Sequence, residues 1–323
     1  MSETYTEYLL DSKNFPNKYS LFPIHKKDVW DMYLTAMRFF WVATEIDLSK
    51  DQAEYEKLPA GEKRLIKKIL AFFAISDNIV NENLARRFYT EVQMPEARAF
   101  YGLQIGIETI HAHTYSLLID TYIRDEVEKD KIFRSLETSA GVRKKAQWAM
   151  KWMDSKESFA VRLLAFACVE LVFFNGAFCI IFWYKSRGLL PGLAKSNDFI
   201  SRDEGLHGEF ACLLYNNYIK NKVARNVILD IVQGAIDAEE TFIKEAFEEN
   251  IAGINGKIMM EYIRYWGDRF LEMIGEKKFF ITDIGIPTWM PQVSLKVRSD
   301  FFSDKETNYK KADSGAYKIV EDF

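Results

Sequence analysis

Two copies of the motif Glu-x-x-His are the most chemically informative feature of this sequence. One copy is Glu108 with His111, the other is Glu204 with His207, and the chain has only four histidines. On an α-helix, residues three apart lie on one face, so each copy brings a carboxylate and an imidazole together. Two such helices, with one more carboxylate from each of two others, form a carboxylate-bridged two-metal site inside a helix bundle.

Two further acidic residues follow or interrupt apolar runs. Glu170 lies within the run at 163–184, LLAFACVELVFFNGAFCIIFWY, where a buried carboxylate must be paired, protonated or bound to a metal. Asp77 follows the apolar run at 70–76 and either faces the core or occupies a solvated helix position. A chance Glu-x-x-His on a solvated face explains one copy of the motif, but not two copies together with Glu170. The predicted metal ligands are Asp77, Glu108, His111, Glu170, Glu204 and His207.

The types of these side chains indicate the metal. Carboxylates are hard ligands that bridge and neutralise two cations, and imidazole suits iron and manganese. A ligand set without cysteine disfavours structural zinc. The other two histidines, His25 and His113, are predicted not to be ligands.

Tyr115 lies one helical turn beyond His111 and on the same face. It is either a core residue whose hydroxyl finds a partner, or a redox partner from which an oxygen-activated metal pair removes an electron and a proton. Phe174 and Phe178 lie one and two turns beyond Glu170 on its face. They are either ordinary core residues or a dry wall that protects a radical on Tyr115.

The elements that must position these residues are helices. The sequence shows long segments of helical period, prolines between them or at their starts, and no strict alternation typical of strands. The predicted fold is therefore all-α, a ferritin-like helix bundle with a di-metal carboxylate site in its core. The predicted helices lie near 27–46, 60–92, 95–123, 125–135, 137–153, 155–185, 192–217, 220–249 and 253–274.

Composition excludes several classes of function. Hydrophobic residues make up 48% and charged residues 28% of the chain, which is typical of a globular protein, and the net charge of −4 gives no basic footprint for nucleic acid. Cys168, Cys179 and Cys212 lack Cys-x-x-Cys spacing, as expected for reduced thiols in a cytoplasmic protein. The run at 163–184 is long enough to cross a membrane, but its central Glu170 favours the core helix of a soluble bundle. The polar N-terminus does not resemble a signal peptide.

The C-terminal region differs from the helical part. From Val297 onward it is polar and charged, with isolated aromatic residues at Tyr309, Tyr317 and Phe323. Such a segment does not fold alone and is either a frayed terminus or a peptide that docks on a partner. We therefore predict an N-terminal segment at 1–25, a helical domain at 26–296 and a docking tail at 297–323.

These segments resemble the small, radical-generating subunit of class I ribonucleotide reductase, and most closely its eukaryotic and viral-like branch. The resemblance implies that the six predicted ligands hold two iron ions, with manganese possible, and that Tyr115 carries the radical. Asp47 is not a ligand, because the 31-residue step to Glu108 in that family selects Asp77. The resembling stretches are FPIHKKDVWDMYLTAMRFFWVATEIDLSKD (23–52), LAFFAISDNIVNENLARRF (70–88), EARAFYGLQIGIETIHAHTYSLLIDTYI (96–123), AFACVELVFFNGAF (165–178) and FISRDEGLHGEFACLL (199–214).

The resemblance also assigns residues to radical transfer. Trp41 would start the electron path out of the site, Asp203 would link His111 to Trp41, and Tyr309 would relay the radical to a cysteine of the large subunit. A carboxylate in the position of Asp203 is physically reasonable, since a metal-bound imidazole usually donates its other N–H to one. The apolar radical pocket would consist of Phe174, Phe178 and Ile200.

The family implies a homodimer that docks on the large subunit through its tail and supplies the radical for reduction of ribonucleoside diphosphates. The chain has no glycine-rich phosphate loop, so it is not expected to bind the nucleotide by itself. The alternatives are a ferritin-like oxidase that acts on a small ligand in its core, a ferroxidase or iron store, and a metal-free structural bundle. The oxidase would be expected to replace the tail and the setting of Tyr115. The ferroxidase or iron store would not need Trp41 or a long docking tail, and the structural bundle does not explain Glu170.

Overall fold

The computed structural model describes residues 6–248, 251 and 253–282. These residues form helices and no named strand, so the predicted all-α class is confirmed. Two π-turns, Leu84–Phe88 and Val169–Phe173, continue helices without a break in the chain. The α-helices are α1 Lys27–Phe39, α2 Asp51–Lys57, α3 Ala60–Asn83, α4 Tyr89–Glu91, α5 Pro95–Tyr122, α6 Glu126–Phe133, α7 Ser135–Thr138, α8 Ala140–Met153, α9 Phe159–Cys168, α10 Phe174–Ser186, α11 Pro191–Tyr218, α12 Arg225–Ala246 and α13 Gly256–Met273.

Four helical rods surround the centre of the molecule: α3, α5, α11, and the continuous rod formed by α9, the second π-turn and α10. Helix α3 packs on α5, and α11 packs on α5, α9 and α10. Helix α1 covers α5 and α11, whereas α8, α12 and α13 cover the opposite side. This is the helix-bundle arrangement predicted from the sequence.

The rod Phe159–Ser186 is long and apolar enough to cross a membrane, and its most apolar part is entirely buried inside the bundle. The prediction of a buried core helix is therefore confirmed. Its start, however, was placed too early, at 155. Ser158 caps the helix by accepting a hydrogen bond from the Val161 N–H, so the residues before it lie outside the helix.

Several other predicted boundaries were wrong, two of them for reasons that the structure shows. The helix predicted at 27–46 ends at Phe39, because the backbone of Phe40 turns away from helical geometry. The helix predicted at 137–153 is interrupted at Ser139, whose hydroxyl accepts a hydrogen bond from Val142 N and caps α8. The helix predicted at 220–249 begins at Arg225 and ends at Ala246. The short helix α2 was not predicted.

The described part of the predicted N-terminal segment packs on the bundle. Leu9 is fully buried, and its carbonyl accepts a hydrogen bond from Gln93 N at 2.8 Å. The Glu96 carboxylate accepts the backbone N–H groups of His25 and Lys26, at 2.7 and 3.0 Å, just before α1 begins. The predicted tail, with Tyr309, lies outside the described residues.

Candidate metal centre

Four elements bring the six predicted ligands into the middle of the bundle. Helix α5 carries the first Glu-x-x-His, α11 carries the second, α3 carries Asp77, and the second π-turn carries Glu170. All six side chains are buried. Gly208 allows α11 to approach the π-turn closely, since a Cβ there would overlap the Leu171 side chain.

Two carboxylates lie between the two imidazoles. Glu204 places Oε1 3.0 Å from His111 Nδ1 and Oε2 3.0 Å from His207 Nδ1. Glu108 places Oε1 3.0 Å from His207 Nδ1 and Oε2 3.5 Å from His111 Nδ1. Each carboxylate therefore turns one oxygen toward each imidazole, which is the disposition of a ligand that bridges two cations.

The possible ligand atoms form two overlapping groups. In each group, all the atoms lie within 4.8 Å of one another. Glu108 belongs to both groups, so two cations held by them would be neighbours. One group is Asp77, Glu108 and His111, and the other is Glu108, Glu170, Glu204 and His207.

The hydrogen bonding of these side chains fits a metal pair. Several buried ligand atoms have no hydrogen-bond partner among the described residues, and an unsatisfied buried polar atom is costly. Coordination of a hard divalent cation would satisfy all of them at once. The atoms are Asp77 Oδ2, both Glu108 carboxylate oxygens, His111 Nδ1, Glu170 Oε2 and Glu204 Oε1.

Burial, together with repulsion and attraction between neighbours, shifts the pKa values of five of these side chains, not all in the same direction. Burial and the neighbouring carboxylates raise the pKa of Asp77 and of Glu170 well above the usual range. Burial also opposes ionisation of Glu204, but contacts with both histidines lower its pKa. Burial disfavours imidazolium, yet the nearby carboxylates, Asp203 first, raise the pKa of His111 well above its usual value, and Glu108 and Glu204 raise that of His207 to about 9. Without metal, the cluster therefore retains protons near neutral pH.

Asp203 connects this cluster to Trp41. Its Oδ2 accepts the Trp41 Nε1–H at 2.7 Å and lies 3.2 Å from His111 Nε2. Its Oδ1 accepts hydrogen bonds from Arg202 at 3.0 and 3.2 Å. Burial would raise the pKa of Asp203, but the charge of Arg202 and the contact with His111 hold the pKa below its usual range. Asp203 therefore stays ionised and fixes the orientation of both rings.

Phe73, which the sequence analysis did not single out, is the immediate neighbour of Tyr115. The two rings stack with centroids 4.4 Å apart and planes 3° apart. Phe178 and Phe174 stack on Phe73, at 5.3 and 5.9 Å, so they extend the apolar wall behind it. Ile200 is buried one turn before the second Glu-x-x-His. The sequence could have identified Phe73 as a neighbour of the site, because Phe73 precedes Asp77 by four residues and shares its helix face.

Gln104 and Arg202 were also missed. Gln104 Nε2 donates to Glu170 Oε1 at 3.1 Å, and Gln104 precedes Glu108 by one helical turn. Because residues one turn apart share a helix face, the sequence would have identified Gln104 as a neighbour of the candidate ligands. Arg202 offered no such signal, because an arginine in a polar stretch of helix is usually solvated. Of the other two histidines, His113 is absent from both groups of possible ligand atoms, and so is His25.

The hydroxyl of Tyr115 has no hydrogen-bond partner among the described residues. Burial, and then the negative charge of Asp77, raise the pKa of this phenol well above its usual value. The hydroxyl is therefore protonated and shielded from bulk solvent.

The fold and the cluster define a class: this is a ferritin-like protein whose core fits a di-metal carboxylate site. The model of the family "Ribonucleotide reductase, small chain" matches residues 18–285. The chain therefore belongs to the ribonucleotide reductase small-chain family.

Relatives with that function in their names are similar over nearly the whole chain. The ribonucleoside-diphosphate reductase small chain of Nicotiana tabacum is 46% identical over 95% of this chain and 96% of its own length. The corresponding small chain of Encephalitozoon cuniculi is 48% identical over 98% of both chains. The solved homodimer of the yeast ribonucleotide reductase protein Rnr4 has a TM-score of 0.78 at 29% identity, covering 92% of this chain and 93% of its own. These similarities do not favour an oxidase or an iron store.

Proposed function

We propose that this chain is the radical-generating small subunit of a ribonucleoside-diphosphate reductase. The observation that carries the proposal is the position of Tyr115, which is buried one turn beyond His111 and whose hydroxyl has no hydrogen-bond partner among residues 6–248, 251 and 253–282. Membership of the small-chain family and the fit of the cluster to two cations support it. An iron store would not require a buried phenol in this position.

We propose that the first cation is held by Asp77, Glu108 and His111, and the second by Glu170, Glu204 and His207, with Glu108 shared between them. A bound pair of iron or manganese ions would supply oxygen activation and an oxidant strong enough for a phenol. The mixed carboxylate and imidazole set suits either metal, and we propose iron.

The protein controls what happens to the proton and the radical of Tyr115. Burial and then the charge of Asp77 raise the pKa of this phenol, so it is protonated before any oxidation, and formation of a neutral radical would have to release a proton as well as an electron. Phe73 covers one face of the ring and keeps water away. We propose that this apolar wall, extended by Phe174 and Phe178, preserves the neutral radical.

We propose that the electron path to the partner begins at Trp41. Its ring lies 6.0 Å from the His111 ring, and its N–H is fixed by ionised Asp203. From Trp41 the path would continue to Tyr309 and to a cysteine of the large subunit, with the tail at 297–323 as the docking peptide. Because the solved Rnr4 structure is a homodimer, we also propose a homodimer here.

The test is Tyr115→Phe, which removes only the phenol hydroxyl and keeps the ring that stacks on Phe73. We expect unchanged binding of two metal ions, loss of the tyrosyl radical signal in electron paramagnetic resonance, and no reduction of ribonucleoside diphosphates when the large subunit is added.

Tyr101→Phe is the matched control. Tyr101 is also buried on α5, and its hydroxyl has no hydrogen-bond partner within the described chain. The control variant should retain the radical and the activity. Turnover by Tyr115→Phe at the wild-type rate would refute the radical assignment.

A further inference from the structure

Two side chains donate hydrogen bonds to the backbone of the π-turn that carries Glu170. A π-turn contains one residue more than the α-helical turn that it replaces. Lys145 Nζ, from α8, donates to the Phe173 carbonyl at 3.1 Å. Asn175 Nδ2 donates to the Leu171 carbonyl at 2.8 Å. Two carbonyls of the turn therefore accept side-chain hydrogen bonds.

Lys145 is an unusual residue for a core. Its ammonium group is fully buried and forms an ion pair with the equally buried Glu239 of α12. It also lies over the rings of Phe72, at 3.3 Å, and Phe242, at 4.6 Å. Burial lowers the pKa of Lys145 to about 8, against the opposing effect of Glu239. The ammonium thus joins α3, α8 and α12 to the π-turn.

Stability alone does not account for such a pair. Removing two charges from water is expensive, and well-packed apolar residues often stabilise a core equally well or better. An apolar pair could not donate a hydrogen bond to the Phe173 carbonyl, as Lys145 does. Glu239 lies close to the helix just beyond the turn, since a Cβ added at Gly176 would meet its Oε2 at 3.3 Å, and from there it can hold the lysine in place.

We propose that Lys145, held by Glu239, is a positioning residue that fixes the π-turn and thereby places Glu170 at the metal centre. If the turn relaxed to an α-helix, the helix on one side would rotate by about 100°, the angle per residue. Glu170 lies inside the turn, three residues before Phe173, so this rotation would remove its carboxylate from the other ligands. The inference rests on the proposed two-metal site.

The test is the double variant Lys145→Met with Glu239→Leu, which removes both charges and keeps most of the volume. Binding of Mn²⁺ to the metal-free protein is followed by the electron paramagnetic resonance signal of free Mn²⁺, and folding by thermal melting. We expect wild-type protein to bind two ions. The double variant should melt within a few degrees of wild type and bind one ion about tenfold or more weakly, the lower end of the effect of a lost supporting group.

The control is Arg187→Met with Glu62→Leu, because that ion pair, at 2.8 Å, joins α3 to the end of α10 far from the turn. It should leave both dissociation constants unchanged. If the double variant of Lys145 and Glu239 does not fold, Glu239→Gln is used instead, because it keeps the side-chain volume and removes only the charge that pairs with Lys145. One ion should again bind at least threefold more weakly.

Unchanged binding of both ions in the folded variant would overturn the inference, and so would equal weakening of both ions or the same loss in the control. A wild-type chain that binds fewer than two ions would instead overturn the proposed metal centre, and the inference with it. The two failures are therefore distinguishable.

Discussion

Replacement of Asp203 by asparagine tests the connection between the metal cluster and Trp41. The amide oxygen would remain the acceptor for the Trp41 and His111 N–H groups, since both meet the same oxygen, Oδ2. The new NH2 group would then face the two N–H donors of Arg202 that Oδ1 now accepts. Two sets of N–H donors would then face each other, and the buried guanidinium of Arg202 would lose the negative charge that balances it.

The expected loss of folding stability depends on which contacts Arg202 keeps in the variant. Breaking a buried ion pair by removal of one partner costs about 3–5 kcal/mol. Arg202 keeps a 2.7 Å hydrogen bond to the Phe39 carbonyl and a contact with the Phe39 ring at 4.4 Å, so we expect the lower end, about 3 kcal/mol. His111 would lose its charged partner, which weakens binding of its metal ion by about 10–100-fold.

The assay is urea unfolding of the metal-free protein together with metal titration. Asp198→Asn is the matched control, because Asp198 lies on the same helix in a half-exposed pair with Lys185, and such pairs contribute about 0–1 kcal/mol. If Asp203→Asn destabilises the protein no more than Asp198→Asn, and metal affinity does not change, the reasoning is refuted.

Two further predictions concern the aromatic wall and the protons of the cluster. Phe73→Ala should cost about 3–5 kcal/mol in urea unfolding, because it opens a cavity at a fully buried site, and it should shorten the lifetime of the radical measured by electron paramagnetic resonance. Equal lifetimes would contradict a protective role. Metal affinity should rise with pH from 6.5 to about 9, because the raised pKa of His207 means that its proton must leave before a cation binds. Calorimetry in buffers of different ionisation enthalpy should detect proton release, and identical heats in all buffers would contradict it.

The six candidate ligands could be proposed from the sequence because each Glu-x-x-His is a local pattern. Spacing along one helix determines which side chains share a face, and this requires no knowledge of the neighbouring helices. Glu170 was predictable for a similar reason, since a carboxylate within an apolar run must have a special partner. Lys145 and Glu239 were not predictable, because each lies in a polar stretch and their pairing depends on how α8 meets α12.

The end of α1 shows why the remaining details required tertiary structure. The helical period of the sequence continues past Phe39, yet the chain leaves the helix at Phe40. Two contacts with α11 occur at this point: Arg202 binds the freed Phe39 carbonyl, and Asp203 accepts the Trp41 N–H. A continued helix would satisfy the carbonyl internally and would turn Trp41 away from Asp203. Arg202 and Asp203, which adjoin the candidate metal centre, therefore also bind the chain where α1 ends, and local propensity alone does not reveal such a break.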